Sequence, residues 1–294
     1  MNNSSVKRSN SQTSEPVSSC CLTIAGSDSG GNAGVQADLR AFHAYGLHGC
    51  TVFTALTAQN PFGVSAIHPV PADFVAAQLD AVLGVYDIRA LKTGMLANAD
   101  IIETVADRLR SHPEIGKVID PVMVATSGAK LIADDAVETL KERLLPLATL
   151  LTPNLPEAEA LCGHPIEPNR LRAGTAEHAR DLARELWDRY GCAVLVKGGH
   201  GANASAVDVL FDGADFSEFS MPWVPDPVST HGTGCSLAAA LASELALGHD
   251  LRQAVTGAKA YVHDAIANSY LVGKGCGVLG FVDYNLNSAV QTCQ

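Results

Sequence analysis

Short, nearly all-apolar runs recur along this chain, and each leads into a segment with a helical repeat. "CLTIAGS" from Cys20 runs into "GVQADLRAFHAYG", closed by Gly46. "CTVFTAL" is followed by "PADFVAAQLDAVLG", with Pro71 near the first turn and Gly84 at the end. "IRALKTG" precedes a helix near 98–111, "KVIDPV" precedes one near 134–145, and a helix at 175–190 lies between "ATLLTPN" and "CAVLVKGG". A strand with one wet face alternates polar and apolar residues, so runs lacking polar positions are covered on both faces. Alternation of such strands with helices predicts an α/β fold, a central mostly parallel sheet with helices on both faces. "ASAVDVLFDG" and "DFSEFSMPW" read as a hairpin, and helices near 235–247 and 251–270 follow it. No repeat or linker divides the chain. One domain is expected over 20–280, between a disordered Ser-rich tail at 1–19 and a polar tail at 281–294.

A sheet of this kind binds ligands outside the carboxyl ends of its strands. Polar or Gly-rich stretches follow strand after strand: "GSDSGGNAG", "KTGM", "DPVMVATSG", "TPNLPE" and "KGGH". They are expected to converge on one edge and to form the site.

The formal charge of −11 argues against a nucleic-acid or anionic-membrane partner, since no basic field offsets phosphate repulsion. It leaves room for a small anion held by a local positive site. The eight cysteines include no C-x-x-C pair and no metal spacing with histidine. Scattered through apolar segments, they read as buried thiols in a reducing, cytoplasmic compartment. No apolar run approaches the roughly 20 residues that cross a bilayer.

Two nucleotide signatures fail. G-x-x-x-x-G-K-[ST] does not occur, and the tract Gly232-Thr233-Gly234-Cys235-Ser236 meets Leu237 where a dinucleotide fingerprint needs glycine. What remains is Gly232-Thr233-Gly234-Cys235 opening an apolar helix. The first amides of a helix lack intrahelical partners, and its dipole adds positive character there. Glycines let the backbone close on a bound anion, so the tract suits a phosphoryl group. The plainer alternative is a tight turn that merely starts a core helix.

The order of motifs resembles the ribokinase superfamily. With cysteine after Gly-Thr-Gly, and with "TIAGSDSGGNAGVQADL", "TALTAQN", "KTGMLA", "DPVMVATSG", "TPNLPEAEAL" and "VKGGH" in sequence, the chain is similar to the hydroxymethylpyrimidine/phosphomethylpyrimidine kinases over about residues 20–272. The resemblance implies a ribokinase-like fold and phosphorylation of 4-amino-5-hydroxymethyl-2-methylpyrimidine and of its monophosphate. It further implies ATP and Mg²⁺, a role in thiamine biosynthesis, and a homodimer. Pyridoxal kinase of the same superfamily, and a non-catalytic pyrimidine sensor, are the rival readings.

On this reading Cys235, which follows the cradle glycines Gly232 and Gly234, takes the proton of the substrate hydroxyl. A thiol titrates near 8.5, and a helix N-terminus lowers that value. The plainer role is a buried structural thiol. Asn154 and Glu157 form N-x-x-E, which suits water-mediated binding of Mg²⁺ but is equally an ordinary capping box. Asp120 either supports the metal or caps a turn before Pro121. Gly26, Asp38, Gln59 and Met95 match the family's pyrimidine pocket: glycine for close approach, a carboxylate for the hydroxymethyl group, an amide for the aminopyrimidine edge, and a thioether against the ring. Lys197 and Thr233 match the nucleotide side, although a strand-end lysine also snorkels to solvent. Thr126, Ser127 and Gly128 suit a phosphate contact or a hinge. His231 precedes the cradle and is left outside the chemistry. Ser229 and Asn32 depart from the family's usual residues, which puts local loop geometry in question.

Overall fold

A computed structural model describes residues 19–123, 134–164, 176–198 and 205–281. In chain order the elements are β1 (Cys20–Asp28), α1 (Gly34–Ala44), β2 (His48–Asn60), β3 (Gly63–Pro69), α2 (Ala72–Leu83), β4 (Ile88–Thr93), α3 (Ala99–Arg110), β5 (Gly116–Ile119) and α4 (Asp134–Thr139). They continue with β6 (Leu150–Leu151), α5 (Leu155–Cys162), α6 (Ala176–Tyr190), β7 (Ala193–Val196), β8 (Ser205–Phe211), β9 (Phe216–Pro222), α7 (Thr233–Ala246), α8 (Leu251–Ala267), β10 (Tyr270–Val272) and β11 (Cys276–Val278).

Nine strands form one sheet in the order β3-β2-β1-β4-β5-β6-β7-β8-β9. From β2 to β7 every neighbouring pair is parallel, and antiparallel pairing is confined to β3 at one edge and β8–β9 at the other. Side chains alternate between two cores. Cys20, Leu22 and Ile24 of β1 join α2, α3, α5 and α6, whereas Cys21 joins α1, α7 and α8. Leu150 and Leu151 of β6 divide in the same way. Each fully buried leucine contributes about 1.5–3 kcal/mol, which is why the apolar runs mark the strands so plainly. The predicted mostly parallel sheet, covered on both faces, is the sheet found.

Three features depart from the sequence expectation. The helix predicted near 134–145 stays α-helical only over Asp134–Thr139, then widens through Leu140–Leu144 and tightens over Leu145–Leu147. Pro146 lacks the N–H an α-helix would use there, while Leu140, Leu144 and Leu145 all remain in the core. The edge strand β3 and the β10–β11 hairpin carry mostly exposed or half-buried residues, so no apolar run announces them. Pro71 takes the cap position of α2 and lies just outside its first turn.

Candidate active site

The segments leaving β1, β4, β5, β6 and β7 meet the start of α7 around a cavity of about 170 Å³. A larger, more apolar cavity of about 650 Å³ shares Asn154, Glu157, Lys197, Thr233 and Gly234 with it. The predicted convergence at the strand ends is therefore present.

The loop after β1 is wound on Asp28. Its carboxylate accepts hydrogen bonds from the amides of Gly30 (2.8 Å), Asn32 (3.0 Å) and Ala33 (2.9 Å), and His231 Nε2 lies 3.8 Å away. Burial opposes the charge, but His231 and these amides outweigh it and hold the carboxyl below its ordinary range. Asn32 is buried, and its carbonyl abuts Gly232, so the first loop packs on the cradle.

At this end of the cavity Gly26, Gln59 and Met95 share the wall. A Cβ on Gly26 would stand 3.3 Å from the Met95 sulfur, so the glycine keeps this corner open. Gln59 belongs to β2 itself and is not in a loop beyond it; its side-chain amide lies 3.1 Å from the Thr57 hydroxyl. Asp38 requires a correction. It is fully buried on the inward side of α1, accepts from Thr23 Oγ1 at 2.6 Å and Lys92 Nζ at 3.0 Å, and is not part of the cavity wall. Of that pair Lys92 alone is among the residues around the cavity, although its side chain too is fully buried.

Helix α7 begins without a side-chain cap, as α1 and α2 also do. Asn98, Asn154 and Asp250 cap α3, α5 and α8 with their side chains, whereas Gly232 offers α7 no side-chain cap and no acidic residue fills its first turn. Gly232 has φ +91°, which favours glycine, and a Cβ there would collide with the Asn32 carbonyl oxygen. Gly234 faces the Lys197 ammonium, 3.9 Å from where its own Cβ would stand. Cys235 is half-buried in the same wall. Its thiol corrects a second expectation. Burial pushes it above its ordinary value, with Asp38 and Asp120 adding to the rise, against the pull of Lys92 and of the Gly34 amide.

On the opposite wall Lys197 Nζ donates to Asp120 Oδ1 at 2.8 Å, and Thr152 Oγ1 donates to the same oxygen at 3.1 Å. Asn154 and Glu157 do form the capping box, at 2.8 and 2.9 Å, and both also face the cavity. Burial pushes Glu157 up to about 7; Lys197 opposes the rise and Asp120 adds to it. For Lys197 burial favours the neutral form, but Asp120 and Glu157 outweigh it and keep the ammonium charged. Two buried carboxylates thus share one cation, and the wall is short of positive charge. Ser229 Oγ accepts from the His231 amide at 3.2 Å, shaping the turn before the cradle. Thr126, Ser127 and Gly128 lie outside the described residues.

Sequence patterning did not single out Lys92, Asp28 or the Lys259–Asp208 pair. A lysine inside the apolar run "IRALKTG" was the available signal for Lys92. In the larger cavity, Asp208 accepts from Lys259 Nζ at 2.5 Å and from the Gly198 amide at 2.9 Å, which anchors the backbone beside Lys197.

The family model described as phosphomethylpyrimidine kinase matches residues 28–280. The chain belongs to the phosphomethylpyrimidine kinase family. It is 48% identical over 261 residues to the thiamine biosynthesis bifunctional protein ThiED of Geobacter sulfurreducens, covering 89% of this chain but only 52% of that protein. Against the hydroxymethylpyrimidine/phosphomethylpyrimidine kinase of Rhizobium meliloti the identity is 46% over 265 residues, covering 89% of this chain and 96% of the relative. The chain therefore spans about half the length of the first relative and nearly all of the second. An ADP complex of Bacillus subtilis pyridoxal kinase superposes with a TM-score of 0.81 at 33% identity, covering 92% of this chain and 100% of that one. The ribokinase-like architecture implied by the motif order is the one this phosphomethylpyrimidine kinase family member adopts. Among the described residues no helix is long and apolar enough to cross a membrane.

Proposed function

We propose that the chain transfers the γ-phosphoryl group of ATP to the hydroxymethyl group of 4-amino-5-hydroxymethyl-2-methylpyrimidine, and then to the resulting monophosphate, giving the diphosphate for thiamine biosynthesis. The observation that carries this reading is the uncapped start of α7, with Cys235 in its first turn, at the junction of the two cavities. Activity on this substrate in the relative from Rhizobium meliloti, as its name states, supports the same reading.

The smaller cavity takes the ring, with Gly26 and Met95 against its faces and the Gln59 amide on its polar edge. An amide both donates and accepts, which matches an aminopyrimidine. The larger cavity takes the nucleotide: Met221, Pro222, Val224 and Ile266 suit an adenine, and the phosphates extend toward Thr233, Gly234 and Lys197. In the first transfer the substrate oxygen attacks the γ-phosphorus, the bond to the bridging oxygen of ADP breaks, and the hydroxyl proton passes to Cys235, which accepts it as the thiolate. Backbone amides at the start of α7 and the Lys197 ammonium stabilise the charge on the transferring group, and in a loose transition state this outweighs base strength.

The donor set fits a divalent cation, because Asp120 and Glu157 carry more negative charge than Lys197 neutralises. Those carboxylates would hold Mg²⁺, Glu157 and Asn154 through water, since Asn154 Oδ1 already accepts from the Glu157 amide. When bound, Mg²⁺ supplies charge neutralisation between the phosphates. A homodimer fits the exposed Leu56, Phe62 and Ile67 on the β2–β3 edge, with Phe62 82% exposed. The chemistry suits a cytoplasmic enzyme with free thiols.

The likeness to a pyridoxal kinase keeps a second substrate in view, a flat ring with the same hydroxymethyl arm. ATP consumption with hydroxymethylpyrimidine, its monophosphate and pyridoxal, each with and without Mg²⁺, separates the readings. Mg²⁺-dependent turnover of the first two is expected. Turnover of pyridoxal alone overturns the substrate, and tight pyrimidine binding without turnover overturns the enzyme in favour of a sensor.

A further inference from the structure

Away from both cavities, the described residues bring together one group of three metal-ligating side chains: Cys162, His164 and Glu185. The Cys162 sulfur, an imidazole nitrogen of His164 and a carboxylate oxygen of Glu185 all lie within 4.8 Å of one another. None of the three lines either cavity, so the proposed phosphoryl transfer does not use them. The backbone builds the cluster. Helix α5 ends at Cys162, and Gly163 takes φ +77°, a left-handed conformation that favours glycine. The Gly163 amide donates to the Ala160 carbonyl at 3.1 Å and the His164 amide to the Glu159 carbonyl at 2.9 Å. This closing turn lets residues 162 and 164 both reach Glu185 on α6. From the same helix Arg189 fixes the turn, donating to the carbonyls of Leu161 at 3.2 Å and Cys162 at 2.9 Å.

Burial within the group suits a cation. Cys162 is buried, while the side chains of His164 and Glu185 are 47% and 35% exposed, so an ion among them rests on the sulfur and keeps one side open to water. The carboxylate is already oriented. Glu185 Oε1 accepts from Arg189 at 2.6 Å, and Oε2 lies 2.9 Å from His164 Nε2. Metal-bound carboxylates are steadied in this way through their second oxygen. A tetrahedral Zn²⁺ ion bonds sulfur at about 2.3 Å and nitrogen or oxygen at about 2.0–2.2 Å, which sets its ligand atoms about 3.3–3.7 Å apart. Closing from the present separations takes about an ångström, within reach of a rotamer adjustment of two half-exposed side chains. The local charge agrees. Burial pushes the Cys162 thiol up to about 12, and Glu185 and Glu159 add to the rise against the pull of Arg189. Carboxylates that disfavour a bare thiolate favour a cation beside it.

We propose that Cys162, His164 and Glu185 form a binding site for Zn²⁺, with water as the fourth ligand. On binding, the thiol proton leaves to solvent and a sulfur–zinc bond forms. The imidazole binds as the neutral ring through Nε2, and thiolate and carboxylate together balance the charge of the ion. Sulfur, nitrogen and oxygen in one set favour Zn²⁺, whereas Mg²⁺ demands octahedral oxygen donors and keeps several waters. The Mg²⁺ proposed at Asp120 and Glu157 therefore does not compete here. Helix α5 joins the two places: its first turn carries Asn154 and Glu157, and its last residue is Cys162. Eight residues separate them, about 12 Å along the axis. Bound Zn²⁺ clamps the far end of that helix to α6.

The full chain, treated with a chelator and freed of it, is titrated with Co²⁺, whose bond to a thiolate gives an intense near-ultraviolet band, and Zn²⁺ is then added in competition. One equivalent of Co²⁺ is expected to produce the band, Zn²⁺ to abolish it, and excess Mg²⁺ to leave it unchanged. Cys162→Ser should remove the band, and Cys235→Ala should keep it. His164→Ala and Glu185→Gln should each weaken Zn²⁺ binding by at least about tenfold. Both of those residues are half-exposed, so these two variants decide even where Cys162→Ser fails to fold. A parent protein without the thiolate band overturns the proposal, as does a band that survives in folded Cys162→Ser. Zn²⁺ affinity unchanged in His164→Ala or in Glu185→Gln overturns it as well. The titration needs neither nucleotide nor pyrimidine, so its outcome is independent of the proposed function.

Discussion

The carbonyl oxygen of Asn32 fills the space that any side chain at Gly232 would need. The loop after β1 and the start of α7 are thereby packed backbone against backbone, and the two ends proposed for the ring and the phosphates share one contact. Gly232→Ala must move one of them and must also hold alanine at φ near +91°. The conformational cost alone is about 1–2 kcal/mol. A displacement of the cradle by an ångström costs about 10²-fold in rate. Thermal melting and steady-state turnover measured together should show a modest stability loss and a disproportionate loss of kcat.

Asp28 gives a prediction with a defined pH window. Its folded carboxyl titrates below the ordinary value of about 3.9. Stability from this group is therefore fully present above the ordinary value and lost as pH falls through the lower, folded one. Asp28→Asn removes the charge assistance from all three amide contacts, those of Gly30, Asn32 and Ala33, and the interaction with His231. Denaturant unfolding at pH 7, 5 and 3 should show the variant less stable than the parent at the first two values. The gap should narrow at the third.

Glu157→Gln separates the two roles of the Asn154–Glu157 motif. Glutamine completes a capping box as glutamate does, so the fold should change by less than about 1 kcal/mol. The carboxylate charge is lost, and the Mg²⁺ concentration for half-maximal turnover should rise by about tenfold or more. An unchanged Mg²⁺ titration would leave the motif as a helix cap alone.

Much of this was legible in the sequence for a physical reason. Strands such as Cys20–Asp28 and Ala193–Val196 are apolar on both faces because both faces are covered, and the topology that covers them also brings their C-terminal loops together. Gly232 was visible because only glycine tolerates its surroundings. Asp38 was assigned to the pyrimidine pocket by resemblance, and nothing in its own segment reveals a buried lysine on a distant strand. The Cys235 thiol was expected to be lowered by its helix. Burial decides it instead, and burial is a long-range property. The β3 edge and the β10–β11 hairpin lacked apolar pattern because they bury little.

Kinetics of Cys235→Ala with ATP, Mg²⁺ and hydroxymethylpyrimidine, beside the binding affinity of the same variant for the pyrimidine, tests the phosphoryl cradle with its sulfur proton acceptor most directly. Loss of a positioned proton acceptor is worth about 10²–10⁴-fold. The expected result is a fall in kcat of at least about 10²-fold with pyrimidine affinity held within about twofold. Turnover equal to that of the parent would contradict it.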